Sequence, residues 1–281
     1  TSARARREIG DVWGVVPDGH PGLDTAGMIA ALGDGTLAAA VTGAVDLADL
    51  PDPLAAARAL AGSFVVILEQ RPSAITEFAD VIFPVAAVAE KAGTFVNWEG
   101  RPRSFSAALP APQRRSLPLS DHRVLNVLAA ELGADLGCDS PESIHREFAR
   151  IGPWTGPRAE PVEPVEPGDT GARAETTPPR FVLASWRMLL DDGSLQDGEP
   201  HLAGTARRPV VRLSPSAAAR LGAVEGDLIT VATEHGSITL PLAITDMLPG
   251  VVWVPMNSPG SHLYPALAAL PGDVVTVRGA S

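Results

Sequence analysis

Residues 153–180 constrain the fold more than any other part of the sequence. Seven prolines and four glutamates fall in that stretch, with few large apolar residues between them. Such a segment buries too little surface to offset the entropy of ordering it, so it is expected to be a mobile, protease-sensitive linker. A chain divided in this way must build a core on each side. The apolar patterns of the two sides differ, and so do the folds they predict.

Before the linker, apolar runs alternate with capped helical segments. Residues 37–45 (LAAAVTGAV) read as a strand buried on both faces, followed by a loop at Asp46–Leu50. Asp52 is placed to cap a helix with Pro53 in its first turn, closing near Gly62. Ser63–Glu69 (SFVVILE) is a second buried strand, Ser73–Ala79 a short helical turn, and Asp80–Val85 a further strand. Strands and helices alternating at this spacing predict a parallel α/β sheet. Ser120 then opens a helix with Val124, Leu125, Leu128 and Leu132 on one stripe, ending at Gly133. Ser140-Pro141 opens another, with Ile144 and Phe148 four apart, ending at Gly152.

After the linker, the period changes to two. Leu228–Thr233 and Ser237–Thr245 alternate and are joined at Glu234-His235-Gly236, a hairpin. Gly226-Asp227 makes a tight turn before it, and Ser214-Pro215 opens a short helix closed by Gly222. Val251–Pro255 and Asp273–Arg278 supply further strands. About 100 residues of this kind predict a small barrel.

Composition excludes several functions. The formal charge is −11 and Lys91 is the only lysine. Nucleic acid is therefore excluded as a partner, because phosphate backbones are held by clustered cations. No apolar run reaches the ~20 residues of a bilayer-spanning helix, and direct membrane insertion is not expected. Cys138 is the sole cysteine, so this sequence alone holds no thiolate set for an iron–sulfur cluster. The six histidines are scattered without the i, i+4 pairing of a zinc helix, so no metal site is expected. The dinucleotide GxGxxG, P-loop and GxSxG signatures are missing, and no catalytic residue is assigned. The first methionine is Met28, so the chain is expected to be processed or part of a longer protein.

Two segments could carry chemistry. In the first, Glu90, Lys91, Thr94, Asn97, Glu99, Arg101 and Arg103 crowd among apolar residues. They read either as a buried loop whose charges pair internally or as a loop facing a cofactor or substrate. Trp98, in the same run, is expected in the core. The second is residues 210–257, each feature of which is explained by building a barrel. Upstream of it, Trp186-Arg187 and Gly204-Thr205-Ala206-Arg207-Arg208 are better candidates for contacting an anion, since guanidinium binds phosphate through two parallel hydrogen bonds, although surface arginines are more often merely solvated.

The stretches ADVIFPVAAVAEKAGTFVNWEGRPR (79–103) and LSPSAAARLGAVEGDLITV (213–231), in this order, resemble the molybdopterin oxidoreductase family. The resemblance implies an α/β (Rossmann-like) domain over 1–152, incomplete at its N-terminus, and a double-psi β-barrel over 181–281 that corresponds to a molybdopterin-dinucleotide-binding domain. Together with AVTGAVDLADLPDP (40–53), AEKAGTFVNWEGR (89–101) looks like the large iron–sulfur subunits of actinobacterial respiratory complex I. That likeness implies iron–sulfur clusters in an upstream part, a place among the other peripheral-arm subunits at the cytoplasmic face of the membrane, and a structural role for this portion. In molybdenum enzymes of the family a pterin dinucleotide lies between the two domains. The matching positions here are Trp186, Arg187, Thr205, Arg207, Arg208 and the turn near His262, with Glu99 and Arg101 assisting in a catalytic, formate dehydrogenase-like alternative. Where pterin-binding members often carry Asn-x-Leu-Thr, this chain has His262-Leu263-Tyr264-Pro265. A third alternative is a standalone module that binds a protein through its acidic surface.

Overall fold

The structure is a computed structural model that describes residues 2–109, 118–157 and 179–280. The chain forms two compact units, one of residues 1–45 and 59–162, the other of 46–58 and 163–281. Residues 158–178, most of the expected linker, lie outside the described residues.

In the first unit, two helices precede the sheet. The α1 helix (Ala3–Trp13) is capped by the Ser2 hydroxyl, which accepts from the Ala5 N–H, and it ends at Gly14 with φ +74°. Asp24 caps α2 (Thr25–Gly33) in the same way. Neither helix is anticipated from the sequence. Gly10 is the only buried residue of the Arg-rich α1, so an apolar stripe is hardly present to be read.

Strands β1 (Ala39–Gly43), β2 (Phe64–Glu69) and β3 (Val81–Pro84) pair in parallel in that order. Between β1 and β2 the chain makes a 3-10 turn at Leu47–Asp49 and then α3 (Pro53–Ala61). Asp52 caps α3 as expected, its carboxylate accepting from the Ala55 N–H at 2.8 Å. The central strand is the buried one, with Val65 and Ile67 fully covered. The first strand is not buried on both faces, contrary to expectation. Among the described residues it pairs on one side only, and Val41 is 63% exposed.

Strands β4 (Gly93–Val96) and β5 (Pro102–Phe105) form a separate antiparallel hairpin. Helices α4 (Asp121–Glu131) and α5 (Pro141–Ile151) follow. Val124 joins Leu68 and Val85 in a small core, with Leu128 packed against it. Leu125 and Leu132 face solvent, so the apolar stripe of α4 is narrower than its leucines suggest. Ser140 and Ser143 cap α5 reciprocally.

The second unit is a barrel. Its elements run β6 (Arg180–Trp186), α6 (Pro200–Ala203), β7 (Val211–Leu213), α7 (Pro215–Arg220), β8 (Leu228–Ala232), β9 (Ser237–Ile244), β10 (Val251–Pro255), β11 (Asn257–Ser258), β12 (Ser261–His262), α8 (Leu263–Leu267) and β13 (Val274–Gly279). The closed order is β10-β6-β13-β8-β9-β7. Two neighbouring pairs, β10–β6 and β7–β9, are parallel, which obliges the chain to cross over rather than turn back. This is the architecture expected of a double-psi barrel. Alternate residues fill the interior: Phe181 and Leu183, Val211 and Leu213, Ile229 and Val231, Val252 and Val254, Val275 and Val277 are all buried. The β8–β9 hairpin needs Gly236, because a Cβ there would stand 2.4 Å from the Ala266 carbonyl oxygen.

Residues 46–58 group with this barrel unit and not with the α/β unit in which sequence pattern places them. Their 3-10 turn lies against α8, with Leu47 buried. Local periodicity marks where a segment becomes helical but not which core receives it.

Candidate functional site

The positions expected to face a cofactor are in both units, and each unit is described by itself. On the barrel, β6 ends at Trp186, and Arg187 follows it directly. Arg187 donates to Asp191 Oδ2 at 2.6 Å and to the Asp49 carboxylate, which the 3-10 turn presents. Burial works against the charge of Arg187. The hydrogen bond from Arg187 to Asp191 and the attraction of Asp49 outweigh it and hold the guanidinium pKa above its ordinary value. The Trp186 ring leans on the buried Trp253 with centroids 4.9 Å apart, and Arg212 lies over the Trp253 ring at 5.4 Å.

Asp191 also lines a cavity of about 480 Å³. Asp192, Asp197 and Glu199 line it with Asp191, against the two arginines Arg207 and Arg208. Glu199 is occupied as the cap of α6, accepting from the His201 and Leu202 N–H groups at 3.1 and 3.2 Å. The Thr205 hydroxyl donates to the Leu202 carbonyl at 2.8 Å. At the cavity's edge, His262 Nδ1 is 2.9 Å from Asn257 Oδ1, and Nε2 is 3.3 Å from Asp192 Oδ2. Trp186-Arg187, Arg207, Arg208 and the His262 turn therefore do gather at one end of the barrel. Arg187, Thr205 and His262 each have at least one partner from the protein itself.

In the first unit, Glu99 and Arg101 pair with each other at 3.1 Å, and Asn97 Oδ1 accepts from the N–H groups of both. Lys91 donates to Asp121 with its side chain only 15% exposed. Lys91, Asn97, Glu99 and Arg101 pair within the protein, and the burial expected of such a loop holds for Lys91 and not for the hairpin. Trp98, expected in the core, is 93% exposed. It sits at the hairpin tip, where no further strand among the described residues covers it. A second cavity, of about 750 Å³, lies between the hairpin and α5 and is lined mainly by apolar groups with His122 and His145. Burial lowers the pKa of His122, with Arg123 adding to the effect. Among the described residues no group of three or more His, Cys, Asp or Glu side chains is placed to hold a metal ion.

Sequence reasoning misses the acidic residues that surround Arg187. Asp191 is legible in principle, four positions after Arg187. Asp49, 138 positions away, is not.

Residues 18–115 match the molybdopterin oxidoreductase model, and residues 181–277 match the molydopterin dinucleotide binding domain. The chain belongs to the molybdopterin oxidoreductase family. Over 279 residues it is 47% identical to the NADH-quinone oxidoreductase G subunit of Mycobacterium bovis, an alignment that covers 99% of this chain and 34% of that protein. It is 26% identical over 297 residues to a putative formate dehydrogenase of Bacillus subtilis, covering 92% of this chain and 30% of the relative. Among solved structures, acetylene hydratase from Pelobacter acetylenicus matches with a TM-score of 0.53 at 15% identity, covering 98% of this chain and 50% of that one. That likeness concerns fold alone. This family member spans about a third of the length of the NADH-quinone oxidoreductase relatives it matches.

Proposed function

We propose that this chain is a non-catalytic, bracing portion of the G subunit of an NADH:quinone oxidoreductase, which supports electron transfer from NADH to quinone without carrying a redox centre itself. The observation that carries the assignment is 47% identity maintained over 99% of the chain with that oxidoreductase subunit, against 26% with a putative formate dehydrogenase. The barrel chemistry supports the bracing role. A pterin dinucleotide presents a pyrophosphate, which calls for uncommitted cations and N–H donors. Arg187 is engaged by two carboxylates of its own protein, and the cavity that Arg207 and Arg208 line carries four acidic residues. These residues do not fit the group.

In this reading the iron–sulfur clusters belong to parts of the same subunit outside this chain. Its partners are other peripheral-arm subunits, and its place is the cytoplasmic face of the membrane within the complex. No helix among the described residues is long and apolar enough to cross a membrane. The test is purification of the intact oxidoreductase through an affinity tag on this protein, followed by metal analysis and by fluorescence of acid-released pterin. Co-purification with the other subunits, with molybdenum and tungsten far below stoichiometric and no pterin signal, is the expected result. Stoichiometric molybdenum or tungsten sinks the bracing role, and failure to co-purify sinks the complex I assignment.

A further inference from the structure

The β4–β5 hairpin is built to hold apolar groups in solvent. Its turn is closed by the Asn97 N–H donating to the Arg101 carbonyl at 3.2 Å and the Gly100 N–H donating to the Asn97 carbonyl at 2.9 Å. Asn97 Oδ1 accepts two more backbone N–H bonds, and Gly100 takes φ +76°, which a side chain would strain. Phe95 stacks on Phe105 with centroids 4.7 Å apart, and Gly93 is what leaves room, since a Cβ there would meet the Phe105 ring at 2.7 Å. On this fixed frame Trp98 is 93% exposed, Val96 60% and Phe95 59%. Across the neighbouring cavity of about 750 Å³, α5 turns Phe148 outward, 68% exposed, beside Ile144 and Ala149. A two-stranded hairpin is marginal alone in water, and a preorganised, exposed Trp beside an apolar cleft is the composition of a binding hot spot.

We propose that this hairpin and cleft are a docking surface for an apolar segment of the same polypeptide, from the part of the full-length subunit that these 281 residues do not span. The inference rests on the complex I reading, because the occupant is defined by it. Two observations select that occupant. The matched NADH-quinone oxidoreductase relatives are about three times as long as this chain, so most of such a polypeptide lies outside it. A net charge of −11 opposes the approach of a second copy. The titratable groups among the residues lining the cleft are His122 and His145, and His145 is engaged by the Thr94 hydroxyl, which favours an uncharged occupant.

The test places a photo-crosslinking phenylalanine analogue at Trp98 and, separately, at Phe148 in the full-length protein within the assembled oxidoreductase. Peptide mass spectrometry then maps the products. Crosslinks from both positions to residues of the same chain outside 1–281 are expected. Crosslinks to other subunits, to a second copy or to residues 179–280, or no crosslink at all, overturn the proposal. A Trp98→Asp variant of the full-length protein should raise hydrogen exchange of residues 93–105 at least tenfold, and unchanged exchange also overturns it. Co-purification of the crosslinking variants with the other subunits is scored independently, so failure of the complex I reading is told apart from failure of the docking surface.

Discussion

The barrel and the three-stranded sheet solve the same problem in opposite ways. In the barrel every strand has two neighbours, and one set of alternate side chains closes on itself, so Phe181, Leu183, Val211, Leu213, Ile229 and Val231 are essentially dry. In the sheet only β2 has two neighbours, and Val41, Phe64 and Ile82 remain 63%, 52% and 46% exposed. A parallel sheet is normally covered on both faces. The comparison teaches that closure makes a core independent of anything outside the element set, whereas an open sheet hands part of its burial to whatever packs on it.

Substitutions in the two cores test that contrast. The largest effect is expected at Leu213→Ala, which empties a fully enclosed site and should cost about 2–5 kcal/mol in thermal or denaturant unfolding. A loss below about 1 kcal/mol would mean that the barrel is not a closed core. Ile67→Ala, in the buried central strand, should cost nearly as much in the first unit, whereas Val41→Ala on β1 should stay within about 0.5–1 kcal/mol. Equal losses at the two positions would erase the distinction between central and edge strand.

Third comes the ionic link on the barrel. A double-mutant cycle on Arg187→Ala and Asp49→Ala should give a coupling of about 0.5–1 kcal/mol, kept small because both side chains are more than 40% exposed. Coupling that disappears while each single variant remains stable would show that the pair does not fasten the 3-10 turn to the barrel. The smallest effect concerns His122. Burial lowers its pKa below the ordinary 6.5, so the native state favours the neutral ring. Its contribution to stability is complete above the unfolded value and is lost as pH falls through the lower folded one. His122→Gln should therefore flatten the fall of Tm between about pH 7 and pH 5, and an unchanged profile would remove His122 as its source.

Much of the fold is legible because it is written in local rules. Asp52-Pro53 and Ser140-Pro141 mark helix starts since a side-chain oxygen there meets a backbone N–H that the helix leaves open. The alternation in 228–245 predicts the β8–β9 hairpin because strand side chains alternate faces wherever the strand lies. The candidate site is legible only in part. Trp186, Arg187, Arg207 and Arg208 stand out by residue type and family likeness, but the carboxylates that engage or surround them do not. Trp98 is misread because an apolar run looks the same at a hairpin tip as in a core.

Local sequence rules set the type of most elements from β1 onward, the change of period across residues 153–180, and the family likeness of both halves. Tertiary structure alone decided that β1 is an edge, that residues 46–58 join the barrel unit, and that Arg187 meets Asp49. Periodicity and capping act within a few residues along the chain. Burial and ion pairing depend on what closure brings together from more than a hundred residues away, and no local pattern carries that information.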